Sequence, residues 1–303
     1  MDIEALRTFL AIRRTGGFSS AAEALGRSQP AISRRIALLE GELGAPLFER
    51  VARGVVLSQA GEFLLPHAVR AVAAVEDCAR AAAALRSDAS GPLSVVAVGT
   101  LAGANLTPIL KRFTAAHPDV ALSLRTATSA ETSDLVRQGE ASIGLRYHYD
   151  AAPDLTCEQI AEERLAVACG PDHPHAGGAV SSLRELADET WLAFPGADAP
   201  REPAANNLFA QFLVRGVAEI NWTPVDSLTA QKRLIEAGFG VALLPESAIV
   251  EELASGALAV ISVDDLDAAN PVCLVTRREG YLTPAALALC DLLRSESLAA
   301  PAS

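Results

Sequence analysis

Phe18-Ser19-Ser20-Ala21-Ala22-Glu23-Ala24-Leu25-Gly26-Arg27-Ser28-Gln29-Pro30-Ala31-Ile32-Ser33-Arg34-Arg35-Ile36-Ala37-Leu38-Leu39-Glu40-Gly41-Glu42-Leu43-Gly44-Ala45-Pro46-Leu47-Phe48-Glu49-Arg50 decides the N-terminal fold. Phe18, Ala22 and Leu25 fall at i, i+4 and i+7, the buried stripe of a short helix. Gly26 sits where the chain must turn. Ser28 is placed to cap a second helix, with Pro30 in its first turn, where a missing N–H costs little. Ile32, Ile36, Leu39 and Leu43 form that helix's expected core stripe. Its other face carries Pro30, Ser33, Arg34 and Ala37, with Gln29 at the exposed end. Small residues allow close approach to a duplex, and Gln, Ser and Arg can bond base edges or phosphates. The pattern predicts a helix-turn-helix whose second helix enters a major groove. Alone, it equally fits a plain helical hairpin.

The adjoining residues tip the balance. Pro46–Arg50 leads into Arg53-Gly54-Val55-Val56-Leu57-Ser58, two short extended pieces that predict a β wing, with Arg50 and Arg53 near the phosphate backbone. Here the chain resembles the LysR-type transcriptional regulators. The matching residues are Leu6, Phe9, Gly17-Phe18, Ala21-Ala22, Leu25, Ser28-Gln29, Ser33-Arg34 and Ile36. They continue through Leu39-Glu40, Leu43-Gly44, Leu47-Phe48-Glu49-Arg50, Arg53 and Ala60-Gly61. Matches in fixed register over such a length are specific, unlike a lone short motif.

Of the 303 residues, 50% are apolar and 20% charged, a globular composition long enough for two or three domains. No basic-then-apolar leader and no bilayer-length apolar run is visible, so a soluble, cytoplasmic protein is expected. The five cysteines are scattered and odd in number, as free thiols in a reducing compartment would be. The net charge of −12 is unevenly spread. Residues 1–90 hold 11 Arg and 10 Asp/Glu; the remainder holds 14 cationic and 27 acidic residues. Cations cluster at Arg27, Arg34, Arg35, Arg50 and Arg53, where a duplex would lie.

Leu64, Ala68, Ala71, Val75, Cys78, Ala82 and Leu85 are spaced 4, 3, 4, 3, 4, 3, a three-heptad seam in an Ala-rich helix. A helix between a wing and the linker Ser87–Pro92 has little of its own chain to cover it, so a second subunit is expected on the seam. The resemblance implies the same pairing, in a homodimer or homotetramer.

After Pro92, strands and helices alternate, implying open sheets with helices on both faces. Expected strands are 93–98, 120–124, 143–146, 165–169, 191–194, 219–225, 240–244, 258–262 and 272–276. Expected helices are 104–116, 130–138, 182–188, 203–215, 227–237, 246–254 and 284–297. The resemblance implies a type 2 periplasmic-binding-protein-like effector domain of two subdomains. The expected boundaries are 1–58 for the winged helix-turn-helix, 59–86 for the linker helix, 87–92 for a hinge and 93–303 for the effector domain. Subdomain I takes 93–162 and 268–303, and subdomain II takes 163–267. Leu234, Ala237-Gly238, Gly240 and Leu243-Leu244-Pro245 match the family's Leu-x-x-Ala-Gly-x-Gly-x-x-Leu-Leu-Pro pattern. Gly139-Glu140 matches its Gly-Glu-Leu-Asp, but Ala141-Ser142 departs from it.

Ligands in such folds bind beyond strand ends and near helix starts, where hydroxyls and free amides converge. That directs attention to Thr100 with its neighbour Leu101, to Ser129, and to Thr229. The resemblance implies that Thr100 and Ser129 line one wall and Phe194-Pro195 the other. Arg146 and Arg201 are candidate clamps for a carboxylate, so a small organic anion is the expected effector. Other chemistry is weak. Asp172-His173-Pro174-His175 and Tyr147-His148-Tyr149 lack metal-site spacing. Gly238-Phe239-Gly240 sits in the wrong context for phosphate. No catalytic constellation is visible. No cofactor, metal or membrane partner is expected. The expected partners are double-stranded DNA with an imperfectly palindromic site and a small molecule, with RNA polymerase a candidate. The alternatives are an α/β enzyme with a helical appendage, and a redox sensor using Cys157 and Cys169.

Overall fold

The computed structural model describes residues 1–51, 54–84, 91–103, 105–194 and 203–296. Two compact units divide the chain, with the main break between Arg86 and Ser87.

The first unit begins with α1 (Ile3–Thr15), capped by the Asp2 carboxylate, which accepts from Ala5 N at 2.6 Å, and ended by Gly16 in a left-handed conformation. Then come α2 (Phe18–Ala24) and α3 (Gln29–Leu43). Phe9, Ile12, Ala21, Ile32, Ile36 and Leu39 meet in one core. Leu43 departs from the expected stripe: it is 43% exposed, because α3 carries its last residue beyond the reach of α1 and α2. Ser28 occupies the N-cap position, yet its side chain makes no capping bond. Strands β1 (Phe48–Val51) and β2 (Gly54–Leu57) pair antiparallel as the wing.

Helix α4 (Gln59–Ala84) runs through Pro66. Its first half belongs to this unit's own core. Ala68 is wholly buried there, and Leu64 and Ala71 pack against the same cluster. These three residues of the expected subunit seam are therefore satisfied within the chain. Val75, Cys78 and Ala82 remain at least partly exposed, and Leu85 lies outside the described residues. The 4-3 spacing could not separate the two because packing on α1 and packing on a partner require the same periodicity.

The second unit is built on β3 (Gly91–Val98), α5 (Leu106–Ala116), β4 (Val120–Ala127), α6 (Ser129–Arg137) and β5 (Ile143–Tyr147). A 15-residue strand, β6 (Leu155–Cys169), comes after these. Next are β7 (Ala179–Val180), a 3-10 turn at Leu183–Leu186, β8 (Trp191–Ala193), α7 (Pro203–Leu213), β9 (Trp222–Pro224) and α8 (Leu228–Glu236). The chain closes with β10 (Ala242–Pro245), a 3-10 turn at Glu246–Ala248, α9 (Val250–Ser255), β11 (Ala259–Val263), β12 (Ala269–Arg277) and α10 (Pro284–Ser295).

The strand order is β4-β3-β5-β12-β6-β11-β7, with β10 also on β6. Strand β6 makes this two subdomains. From Leu155 to Arg164 it pairs with β12 in a sheet whose core holds Leu93, Ile109, Phe113, Leu145, Leu274 and Leu289. From Leu165 to Cys169 it pairs with β10 and β11, against a separate core around Trp191, Phe212 and Ile261. The chain crosses back between β11 and β12. The span 155–164 was not expected as a strand. Its Glu158, Glu162, Glu163 and Arg164 hide the alternation, and pairing with β12, more than a hundred residues later, supplies what local pattern does not.

Candidate functional site

Two surfaces carry chemistry. On the first unit, Ser28, Gln29, Pro30, Arg34 and Ala37 are exposed along α3 and Ser33 is half-buried. The buried Ile32–Ile36–Leu39 stripe fixes which face of α3 looks outward. Gln29 Nε2 donates to Ser33 Oγ at 3.0 Å, so the two polar groups at the helix start are preordered. Arg35 is directed elsewhere, 3.9 Å from Glu4. Arg34 has no ion-pair partner among the described residues. Arg50 is exposed on β1, and Arg53 lies outside the described residues. The face is small, polar and cationic, as a duplex-binding surface must be.

On the second unit, a cavity of about 400 Å³ opens between the subdomains. Val98, Gly99, Thr100, Ala127, Thr128, Ser129 and Tyr147 form one side; Leu192, Phe194, Leu208, Leu228, Gln231 and Leu243 form the other. Of the expected residues, Thr100, Ser129 and Phe194 line it. Leu101 does not: it is buried in the core of subdomain I. Thr229 is exposed one position inside α8 and is not part of the wall. Pro195 and Arg201 lie outside the described residues.

Arg146 is the main correction. Side chains alternate along β5, so when Tyr147 faces the cavity Arg146 faces away. Its guanidinium is buried, with Nη1 donating to Ser133 Oγ and to Asp150 Oδ2, both at 2.6 Å. It is neutralised in place and does not clamp a ligand. The start of α6 is also partly filled. Thr128 is its cap, and Glu131 Oε2 accepts from Thr128 N and Thr128 Oγ1, both at 2.9 Å. Two of the donors expected there for an anion, Thr128 N and its hydroxyl, hold a carboxylate of the chain itself.

Thr100 also meets groups that were not expected in the cleft. Thr100 donates to the Tyr147 hydroxyl at 2.8 Å, which donates to Glu163 Oε2 at 2.5 Å, and Ser247 Oγ donates to Glu163 Oε1. Glu163 is 2% exposed and lies opposite Asn270, where β6 leaves subdomain I. Burial pushes its carboxyl above the ordinary range. A second bridge runs from Asn207 Nδ2 in subdomain II to Asn270 Oδ1 at 3.0 Å. His148, at φ 60°, also lines the cavity. Burial, and then the nearby Arg146 guanidinium, push its imidazole below the usual range, so it is neutral at pH 7.

No group of three or more metal-ligating side chains occurs among the described residues. His173 of the Asp-His-Pro-His stretch lies against Glu189 at 3.3 Å. The expected redox pairing fails on distance. Cys157 and Cys169 are near opposite ends of β6, about 40 Å apart at roughly 3.3 Å per residue, against a limit of about 7 Å for a disulfide. Cys157 instead accepts a hydrogen bond from Cys273 and one from Asp150 N at 3.3 Å, which bring its thiol down to about 7. Burial holds Cys169 and Cys290 at about 11. Iodoacetamide should therefore label Cys157 with a rate rising through a midpoint near pH 7 and leave Cys169 and Cys290 unmodified. Peptide mass mapping across pH 6–9 checks this; equal labelling of the three would contradict it.

A cation-faced helix-turn-helix with a wing, followed by a two-subdomain cleft, defines a DNA-binding protein with a small-molecule sensor. Comparison with known proteins gives the family. Residues 3–62 match the bacterial regulatory helix-turn-helix protein of the lysR family, and residues 86–297 match the LysR substrate binding domain. The regulator IlvR of Caulobacter vibrioides is 33% identical over 303 residues, covering 97% of each chain. CbbR of Rhodospirillum rubrum is 29% identical, covering 96% of this chain and 95% of its own. The crystal structure of CbnR, a LysR family transcriptional regulator, superposes with TM-score 0.66 at 25% identity, covering 97% of this chain and 99% of that one. CbnR has also been solved in complex with its target DNA, with TM-score 0.64, 26% identity and the same coverage. The chain belongs to the LysR family of DNA-binding transcriptional regulators, with an N-terminal helix-turn-helix and an effector-binding domain. No described helix is long and apolar enough to cross a membrane.

Proposed function

We propose that this chain reads an imperfectly palindromic operator as a homo-oligomer and adjusts its grip when a small molecule enters the cleft. Ser28, Gln29, Pro30, Ser33 and Arg34 meet base edges or adjacent phosphates, and Arg50 and Arg53 hold the backbone. The observation that carries this is the outward face of α3, held by a buried stripe and left with an unpaired arginine among the described residues. The exposed part of the α4 seam, Val75, Cys78 and Ala82, is where a second subunit would pair. The proposed division is a winged helix-turn-helix, a linker helix and an effector domain. Effector binding gates DNA contact only if the open and closed subdomain arrangements bind it unequally. The protein acts in the cytoplasm, engages RNA polymerase at its promoters and turns over no substrate.

The test starts from the genomic fragments that the full-length protein selects. On the best of them, Arg34→Ala should weaken binding roughly 5- to 150-fold, the equivalent of about 1–3 kcal/mol. Thermal melting should stay at the parent value, because Arg34 is outside the core. Undiminished operator affinity in a folded variant would sink the assignment.

A further inference from the structure

We propose that the effector of this cleft is a small organic cation. Its ammonium-type head sits between Glu131 of subdomain I and Asp226 of subdomain II, and its apolar body lies on the leucine and phenylalanine wall. The inference rests on reading the cleft as the effector site, and it replaces the anion expected from sequence.

Four observations carry it. Both charged lining residues, among those described, are carboxylates, Glu131 and Asp226. Arg146, the described cation expected at the cleft from sequence, is turned away and paired with Asp150, and His148 is neutral at pH 7. At the start of α6, Thr128 N and the Thr128 cap hydroxyl are taken by the Glu131 carboxylate, and Glu131 N donates to Thr128 Oγ1. Finally, Gln231 lines the cavity with its side chain wholly buried. Its Nε2 donates to Val225 O at 2.9 Å, which fixes the amide, and its Oε1 accepts from no donor among the described residues. Of the two unpartnered buried lining atoms among the described residues, Gln231 Oε1 is an acceptor only, and His148 Nε2 accepts or donates according to the tautomer of its neutral ring. A carboxylate would bring more acceptors and a like charge, while an ammonium or amine brings donors.

The geometry also supplies a gate. Glu131 stands on the first turn of α6, and Asp226 precedes Ser227, the cap of α8. The two carboxylates are on opposite subdomains and repel as the cleft narrows. A cation between them removes that repulsion, so it binds the closed arrangement more tightly, the differential affinity that gating needs. The 27 acidic against 14 cationic residues beyond residue 90 favour the arrival of cations over anions.

The test titrates full-length protein at pH 7 and constant ionic strength with two isosteric series: hexylamine, 1-hexanol and hexanoate; benzylamine, benzyl alcohol and benzoate. Calorimetry and thermal shift should show binding of the amines, at least tenfold weaker binding of the alcohols, and none of the carboxylates. Asp226→Asn and Glu131→Gln should each weaken amine binding fivefold or more; Gln at 131 still serves the α6 cap. The proposal is overturned if the carboxylates bind as well as the amines, if the alcohols match them, if both acid replacements leave amine affinity unchanged, or if no amine binds. Operator selection separates the two claims. Carboxylate binding with operator binding intact removes only the cation, whereas failure to select any operator removes the regulator reading beneath it.

Discussion

Gly61→Ala is expected to destabilise the DNA-binding unit by about 3 kcal/mol, the upper end for overpacking, because the obstruction is backbone. A Cβ at Gly61 would lie 2.3 Å from the Leu47 carbonyl oxygen and 3.0 Å from Leu57 Cδ2. Neither can easily retreat. Leu47 O accepts from Ser58 N at 3.0 Å, and Leu47 N donates to Glu40 Oε1 at 2.7 Å. Ser58 Oγ donates to Pro46 O at 2.5 Å and accepts from Gly61 N at 3.1 Å. These bonds tie the end of α3, both wing strands and the start of α4 into one joint. Forcing it open would move the wing, and with it Arg50, relative to α3. Melting of the variant should shift down by roughly 10 °C or more for a unit of this size, with loss of operator binding. Parent-like melting and binding together would contradict the clash.

That joint shows what was legible in the sequence and what was not. Gly61 drew notice only as part of a matched series; its physical reason is the approach of α4 to Leu47, which no spacing reveals. The α3 face was legible because a 3.6-residue period fixes both its buried and its outward sides. Leu43 broke the pattern only where the helix outran its neighbours. The α4 seam was half-legible, because the period identifies an apolar stripe but not what covers it. In the cleft, Thr100, Ser129 and Phe194 could be placed from strand ends and helix starts. Arg146 was misread because its chain position, next to a strand end, says nothing about which face it takes once Tyr147 points inward. Glu163 was not legible at all. It acquires its role from Tyr147, 16 residues before it, and Ser247, 84 residues after it.

Glu163→Ala is expected to cost about 3 kcal/mol and to uncouple the subdomains. Removing the carboxylate leaves two buried hydroxyls, Tyr147 and Ser247, without their acceptor, at about 1–3 kcal/mol each. Tyr147 keeps only its bond with Thr100. Glu163→Gln should be far milder, since the amide still offers an oxygen and carries no charge into a buried site. The sign of the pH dependence separates the two effects. Burial raises the folded carboxyl above its unfolded value of about 4.3. Glu163 thus favours folding fully below that unfolded value, and the contribution is lost as pH rises through the higher folded one. Above it, the parent holds an ionised carboxylate in a buried site. The melting temperature of Glu163→Gln relative to the parent should therefore climb as pH rises through this window, while Glu163→Ala should lie below Glu163→Gln throughout. Equal melting of the Ala and Gln variants across pH 4–8 would show that Tyr147 and Ser247 do not depend on this acceptor. The regulatory consequence lies in where the chain of bonds starts and ends. Thr100 and Tyr147 line the cleft in subdomain I, and Ser247 belongs to subdomain II beyond the crossing of β6. A ligand that draws on either cleft hydroxyl competes for the proton donated to Glu163, and so alters the bond that holds Ser247. Without residue 163 as acceptor, occupancy of the cleft has no hydrogen-bonded route across the crossing through Tyr147 and Ser247, and operator affinity of the Ala variant should respond less to any effector than that of the Gln variant.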